Sequence, residues 1–333
     1  MVPALIPALR GYTFATFRAD FLAGITVAMV ALPLSLAIAI ASGADPGTGL
    51  VTAIVAGFLI SALGGSRVQI GGPTGAFIVV VHGVIAAHGF GGLVLATLMA
   101  GVILMAAGFL KAGALVRYVP EAVINGFTIG IAIIIATSQI PDLLGLDGRR
   151  LAAEVPAKLA GIWEMRGEVI GAAVFVGVGS MLLITTFRRL APKWPGLIVA
   201  VALASLAAWA LSLNVSTIES RFGALPTTLP VPRLPEISAE RLVTLLPSAL
   251  IIAFLAGIES LLSAMVADRM TKGPPHQPNA EIFAQGVANT ASALVMGLPA
   301  TGAIARTATN IRAGGVTPVA GLVHALTVLA MMM

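Results

Sequence analysis

Cysteine is absent from the 333 residues, which removes disulfide scaffolds, thiolate metal sites and cysteine nucleophiles together. Charge is scarce as well: Asp, Glu, Lys and Arg make up 10% of the chain, against about 25% in soluble domains. No HExxH, Walker A or G-x-S-x-G pattern occurs, so an intramembrane hydrolase or an ATP-driven pump has no support and an enzyme is not expected. His82, His88, His276 and His324 lack ligand spacing, and neither a metal nor a cofactor is expected. What fills the chain is apolar. Hydrophobic residues supply 58%, glycine adds 37 residues, and the mean hydropathy is +1.01. One globular core cannot hide that much, and the reading is an all-α polytopic membrane protein. The net charge of +5 comes from basic residues scattered in short loops, with no basic stripe, so no nucleic-acid partner is expected.

A helix needs about 20 apolar residues to cross a bilayer. Segments near 21–41, 48–64, 91–110, 121–140, 168–186, 196–213, 246–266 and 281–297 meet that length. Two others do not. After Gly71-Gly72-Pro73-Thr74-Gly75 the helical run reaches only to about Ala87, roughly 20 Å at 1.5 Å per residue. After Gly297-Leu298-Pro299-Ala300-Thr301-Gly302 a second short run stops near Ala313, before Gly314-Gly315. Both read as half-helices entered through extended Gly/Pro peptide.

A further apolar segment begins at Val316 and has no polar flank, so the sequence reads as a fragment of a longer protein. Residues 142–166, with mixed charge and Trp163, suit an amphipathic interfacial helix. Residues 214–240, with Pro226, Pro230, Pro232 and Pro235, suit an extended connector. Threading from a cytoplasmic N-terminus puts Arg10, Arg18, Arg67, Lys111, Arg117, Arg188, Arg189, Lys193, Arg269, Lys272 and Arg312 inside. It puts Arg149, Arg150, Lys158, Arg166, Arg221, Arg233 and Arg241 outside, a bias that favours this orientation.

The sequence also repeats itself. Phe21-Leu22-Ala23-Gly24-Ile25 recurs as Phe254-Leu255-Ala256-Gly257-Ile258, and Gly72-Pro73-Thr74-Gly75-Ala76 recurs, with one insertion, at Leu298 to Ala303. The offsets are about 233 and 226 residues, in the same order along the chain. An odd number of segments, seven, separates the copies, so the repeat is inverted. The division expected is 1–213 as the first repeat (segments 1–7), 214–245 as an extracytoplasmic connector, and 246–333 as an incomplete second repeat (segments 8–11). Interrupted helices in corresponding halves point to the binding site of a secondary transporter.

Two half-helix N-termini facing each other near the midplane present unpaired N–H groups and the positive ends of their dipoles, which makes a site for a small anion. Thr74 and Thr301 offer hydroxyls there, and Arg306, one turn into the second half-helix, adds full positive charge. The plainer alternative is a packing kink with a snorkelling arginine. Glu259 is the one acid placed deep in a span, where a carboxylate is expensive and should face water or be protonated. It reads as a coupling site for H⁺, or for Na⁺, with Ser260 and Ser263 as further oxygens; a structural ion pair with Arg306 is the competing reading. Gly126-Phe127-Thr128-Ile129-Gly130 reads as helix packing.

Asp20-Phe21-Leu22-Ala23-Gly24-Ile25, Gly72-Pro73-Thr74-Gly75, Glu259-Ser260 and the stretch from Asn279 to Asn310 resemble the sulfate permease family of anion transporters. Ala303-Ile304-Ala305-Arg306-Thr307-Ala308-Thr309-Asn310 is the most specific part. The resemblance implies a seven-plus-seven inverted-repeat fold, here with the second repeat truncated, and no cytoplasmic STAS domain in this chain. It also implies a homodimer in the cytoplasmic membrane that works by an elevator motion of a core against a gate. The implied substrate positions are Pro73, Thr74, Gly75, Ala76, Ala300, Thr301, Gly302 and Ala303 with Arg306, and the acidic position of the eighth helix is Glu259. Sodium-coupled bicarbonate members carry Asp there, so Glu tilts the expectation to proton coupling. Sulfate, bicarbonate and dicarboxylate remain equal as substrates, and an uncoupled exchanger or channel and a nucleobase carrier stay open.

Overall fold

The computed structural model describes the chain apart from residues 1, 115–120, 149–150, 153, 191–195, 218, 221–222 and 224–225. Arg117, Arg149, Arg150, Lys193 and Arg221, used in the charge threading, lie outside the described residues, as does the Arg188 side chain. Among the described residues, after a single turn at Leu5–Ala8, the helices are α1 (Phe14–Ala41), α2 (Pro46–Leu63), α3 (Ile78–Phe109), α4 (Glu121–Leu144), α5 (Val155–Glu164), α6 (Gly171–Leu190), α7 (Gly196–Ala210), α8 (Ala239–Met270), α9 (Pro278–Leu294), α10 (Ile304–Arg312) and α11 (Val319–Met332). The only strands among the described residues are β1 (Gly71–Gly72) and β2 (Thr301–Gly302).

Capping follows from the sequence. Thr13 accepts from Thr16 N at the head of α1, Asp45 from Gly47 N before α2, and Ser238 from Arg241 N before α8. Each relieves an N–H that the first turn leaves unpaired. Among the described residues four helical stretches are long and apolar enough to cross a membrane by themselves: Phe14–Ala41, Pro46–Leu63, Gly75–Phe109 and Ala239–Met270. The short expected run after Gly75 and the span expected from about residue 91 join without a loop. Gly89, at φ 69°, is the single non-helical residue between them, a conformation open to glycine.

The chain forms two compact units, residues 1–127 with 226–333, and residues 128–225. This partition cuts across the expected repeat boundary at 213, because it follows packing rather than position along the chain. In the larger unit α3 lies against α9 at very short range. A side chain at Gly101 would strike Thr290 and the Gly286 carbonyl, and one at Gly286 would strike Met105 and the Gly101 carbonyl. Small residues that let backbones approach are the usual cement of membrane helices. In the smaller unit Ile170 N donates to Leu144 O at 2.9 Å, and Leu143 fills the space beside Gly177. The stretch Val155–Glu168 meets Gly171–Phe187 at 118°. Trp163 is exposed with the Arg166 guanidinium 4.9 Å over its ring, as an interfacial helix requires.

Candidate functional site: two crossing arms and two half-helices

The two Gly/Pro arms meet. β1 and β2 pair antiparallel, Gly71 opposite Gly302 and Gly72 opposite Thr301, and Ala303 N donates to Ile70 O at 2.8 Å. Pairing with each other satisfies backbone groups that hydrocarbon would leave bare. Beyond the crossing each arm turns into a helix, through the 3₁₀ turn Gly75–Phe77 into α3 and at Ile304 into α10. Thr74 caps the 3₁₀ turn and Ala303 caps α10, both extended, while Phe77 caps α3. The caps of the two α-helices are 226 residues apart, the offset of the motif match. Pro73 and Pro299 each lie four residues before the cap of the α-helix that follows.

Glu259 of α8 and Arg306 of α10 are both buried at this crossing, at 3% and 1% exposure. They do not form a direct ion pair. Thr74 Oγ1 donates to Glu259 Oε2 at 2.8 Å, and Arg306 Nη2 donates to Pro73 O at 2.9 Å and to Ser35 Oγ at 3.3 Å. The Pro73–Thr74 step thus stands between carboxylate and guanidinium. The ion-pair alternative gives way to two separate tethers on one arm. Arg306 Nε and Nη1 are buried without a protein partner, and an unpaired buried donor costs about 1–3 kcal/mol. A side chain on Gly72 would collide with Nη1, so glycine at this φ of 150° is what lets the arm pass the guanidinium.

Several expected ligands have other work. The Thr301 hydroxyl donates to Ala256 O at 2.8 Å and ties the second arm to α8. Ser260 Oγ donates to Glu281 Oε1 at 2.7 Å and accepts from Gln69 and Gln285. Ser263 Oγ lies 3.3 Å from Thr307 Oγ1. Neither serine hydroxyl hydrogen-bonds to Glu259, although position i+4 shares its helix face; their partners on neighbouring elements claim them. Pro73, Thr74, Gly75 and Ala76 gather at the head of α3, and Ala300, Thr301, Gly302 and Ala303 at the head of α10. Among the described residues no three His, Asp or Glu side chains converge as a metal cluster would.

Glu259 is not the only buried acid: Asp20 and Glu281, nearer the starts of their helices, are also buried, at 0% exposure. Glu281 accepts from Gly65 N, Ser66 N, Ser260 Oγ and Gln285 Nε2. Asp20 accepts from Tyr12 OH, Val316 N, Thr317 N and Thr317 Oγ1. Burial, and then Asp20 itself, pushes the Tyr12 phenol up to about 12. Asp20 is the seventh residue of α1 and Glu281 the fourth of α9. Glu281, Gln285, Asn289 and Ser292 form a buried polar stripe on α9, in which Asn289 clamps Ala300 through both N–H and C=O. Its i, i+4, i+8 spacing was a readable signal that the sequence reading passed over. Gln69 and Ser35 gave no such signal.

Paired discontinuous helices in a bundle of apolar spans, with a buried cation and a buried acid at their crossing, mark the all-helical inverted-repeat fold of membrane transporters. The Sulfate permease family profile matches residues 17–333, and the chain belongs to that family. A relative named putative sulfate transporter YvdB, from Bacillus subtilis, is 43% identical over 325 residues, covering 97% of this chain and 61% of its own length. The bicarbonate transporter BicA of Picosynechococcus sp. is 31% identical, over 96% of this chain and 58% of that protein. The chain thus spans about three fifths of the length of these relatives. The solved transmembrane domain of a cyanobacterium bicarbonate transporter BicA superposes with a TM-score of 0.81 at 31% identity, covering 96% of this chain and 83% of that one. The family and these relatives are named as transporters, not enzymes.

Proposed function

We propose that the intact protein is a secondary active transporter of a small anion of the sulfate, bicarbonate or dicarboxylate class, driven by protons through Glu259. The supporting observation is the crossing itself: two half-helix N-termini, Arg306 held on Pro73, and Glu259 held by Thr74 on the next residue. The helix ends and the guanidinium attract an anion. An ionised Glu259 at the same crossing repels it, and a proton on Glu259 lifts that repulsion, so proton and anion each favour the other's binding. Pro73, Thr74, Gly75, Ala76, Ala300, Thr301, Gly302 and Ala303 line the two helix ends in this reading. Thr301, Ser260 and Ser263 act by holding the frame rather than by touching ions.

Hard cations take several oxygen ligands. With both serines committed elsewhere, Glu259 keeps one carboxylate and one threonine hydroxyl, a set that suits a proton better than Na⁺. Sodium-coupled bicarbonate symport is the second reading, and the similarity to a bicarbonate transporter keeps bicarbonate among the substrates. A cytoplasmic-membrane location, a cytoplasmic N-terminus and a homodimer complete the proposal. An elevator motion is supported by the division into two units, since every site residue lies in the larger. The test is uptake of labelled sulfate, bicarbonate and a dicarboxylate into proteoliposomes under imposed pH or Na⁺ gradients. Uptake driven by a pH gradient and abolished in Arg306→Gln supports the reading. Uptake of an uncharged nucleobase, unaffected by that change, would contradict it.

A further inference from the structure

The site described above leaves one buried polar side chain of its surroundings unexplained, His324. It lies on α11, is fully buried, and has neither ring nitrogen bonded to protein. Ser61 Oγ on α2 is buried without a partner too, and so are Nε and Nη1 of Arg306. These orphans share one neighbourhood. A side chain at Gly57 would meet both the Gly71 carbonyl and His324 Cε1, and one at Gly72 would meet both Arg306 Nη1 and Ala53 Cα. Ala53 and Gly57 are one turn apart on α2, so ring and guanidinium lie along the same helix face on either side of β1. Gly321, one turn before His324, packs on Ser61 Oγ.

We infer that His324 is a positioning residue for Arg306, acting through ordered water held among Ser61, the imidazole and the guanidinium. The chemistry fits in both directions. A neutral imidazole has one acceptor and one donor, a hydroxyl has both, and the guanidinium has only donors to give. Water is the small ligand that can join a donor-only group to an imidazole across such a gap, and polar buried pockets with two to four partners are where it is found. The surroundings keep this link free of competing charge. Helices α11 and α2 contain no charged residue, and the one acid of α1, Asp20, is consumed by Tyr12, Val316 and Thr317. Arg306, from α10, is the charge that acts on the ring. Orienting the guanidinium in this way sets where its free donors point, and so how well it meets an anion.

This inference rests on Arg306 contacting the transported anion, and its test separates the two. In proteoliposomes of the full-length protein, His324→Leu should raise KM for the anion about tenfold while kcat stays within about twofold. His324→Gln, which restores a donor and an acceptor, should return KM to within about threefold of wild type. A purely structural role would lower the unfolding temperature of both variants and leave KM alone, and that result overturns the inference. An experimental map of the unmutated protein that resolves water should show density bridging Ser61, His324 and Arg306; protein atoms directly bonded there with no water between them would overturn it as well. If Arg306→Gln raises KM and a folded His324→Leu does not, only the role of His324 fails. If Arg306→Gln leaves KM unchanged, the underlying anion reading fails with it.

Discussion

Glu281 and Glu259 are two carboxylates from adjacent helices of one unit, both buried, and their surroundings could hardly differ more. Glu281 accepts four hydrogen bonds, two from backbone N–H groups of the loop after α2 and two from side chains. Glu259 accepts one, from a threonine hydroxyl on a crossing arm. A carboxylate that accepts four hydrogen bonds from two elements ties those elements together and works as a rivet. One served by a single hydroxyl, at the crossing with Arg306, is the one proposed to couple to protons. Equal burial therefore goes with unequal hydrogen bonding, and the number of donors turned toward each acid is what separates them.

The comparison can be broken in a definite order. Glu281→Ala should be the most damaging to stability, because it strands Gly65 N, Ser66 N, Ser260 Oγ and Gln285 Nε2. A loss of about 3 kcal/mol or more is expected, read as a drop in the unfolding temperature of purified protein. Arg306→Gln comes next and acts on transport: losing a charged donor costs about 1.5–3 kcal/mol, or roughly ten- to a hundredfold in anion affinity measured by uptake kinetics. Gly72→Ala forces a methyl group against Arg306 Nη1, and about 1–3 kcal/mol of overpacking should appear together with slower uptake. Thr301→Val removes a single bond to Ala256 O and should cost about 1 kcal/mol, with uptake per folded protein nearly unchanged. If Thr301→Val instead abolished uptake at full stability, that hydroxyl would belong to the anion site rather than to the frame.

Much of this was legible in the sequence. The helices from Phe14 to Met332 fall on the apolar runs, and Gly89 breaks the chain within two residues of where the first short run was expected to stop. Thr74, Glu259 and Arg306 could be found because glycine-rich entries and isolated charges are conspicuous in hydrocarbon-facing sequence. The register of the two arms could not, since it depends on which residues pair across the β1–β2 crossing. Nor could the partners of Ser260 and Ser263, which come from α9 and α10 and are set by packing between helices. Asp20 and Glu281 looked like loop-side acids because local sequence does not say that a loop folds back over a helix end.

The most direct test of the division of labour puts Glu259→Gln beside Glu281→Gln in the full-length protein. Unfolding temperature and pH-gradient-driven anion uptake would be measured for each. The account predicts that Glu259→Gln unfolds within a few degrees of wild type, keeps the bond from Thr74, and no longer responds to the pH gradient. It predicts that Glu281→Gln is markedly less stable and that whatever folds still responds. The reverse pattern, a gradient response that survives Glu259→Gln and disappears in a stable Glu281→Gln protein, would contradict it.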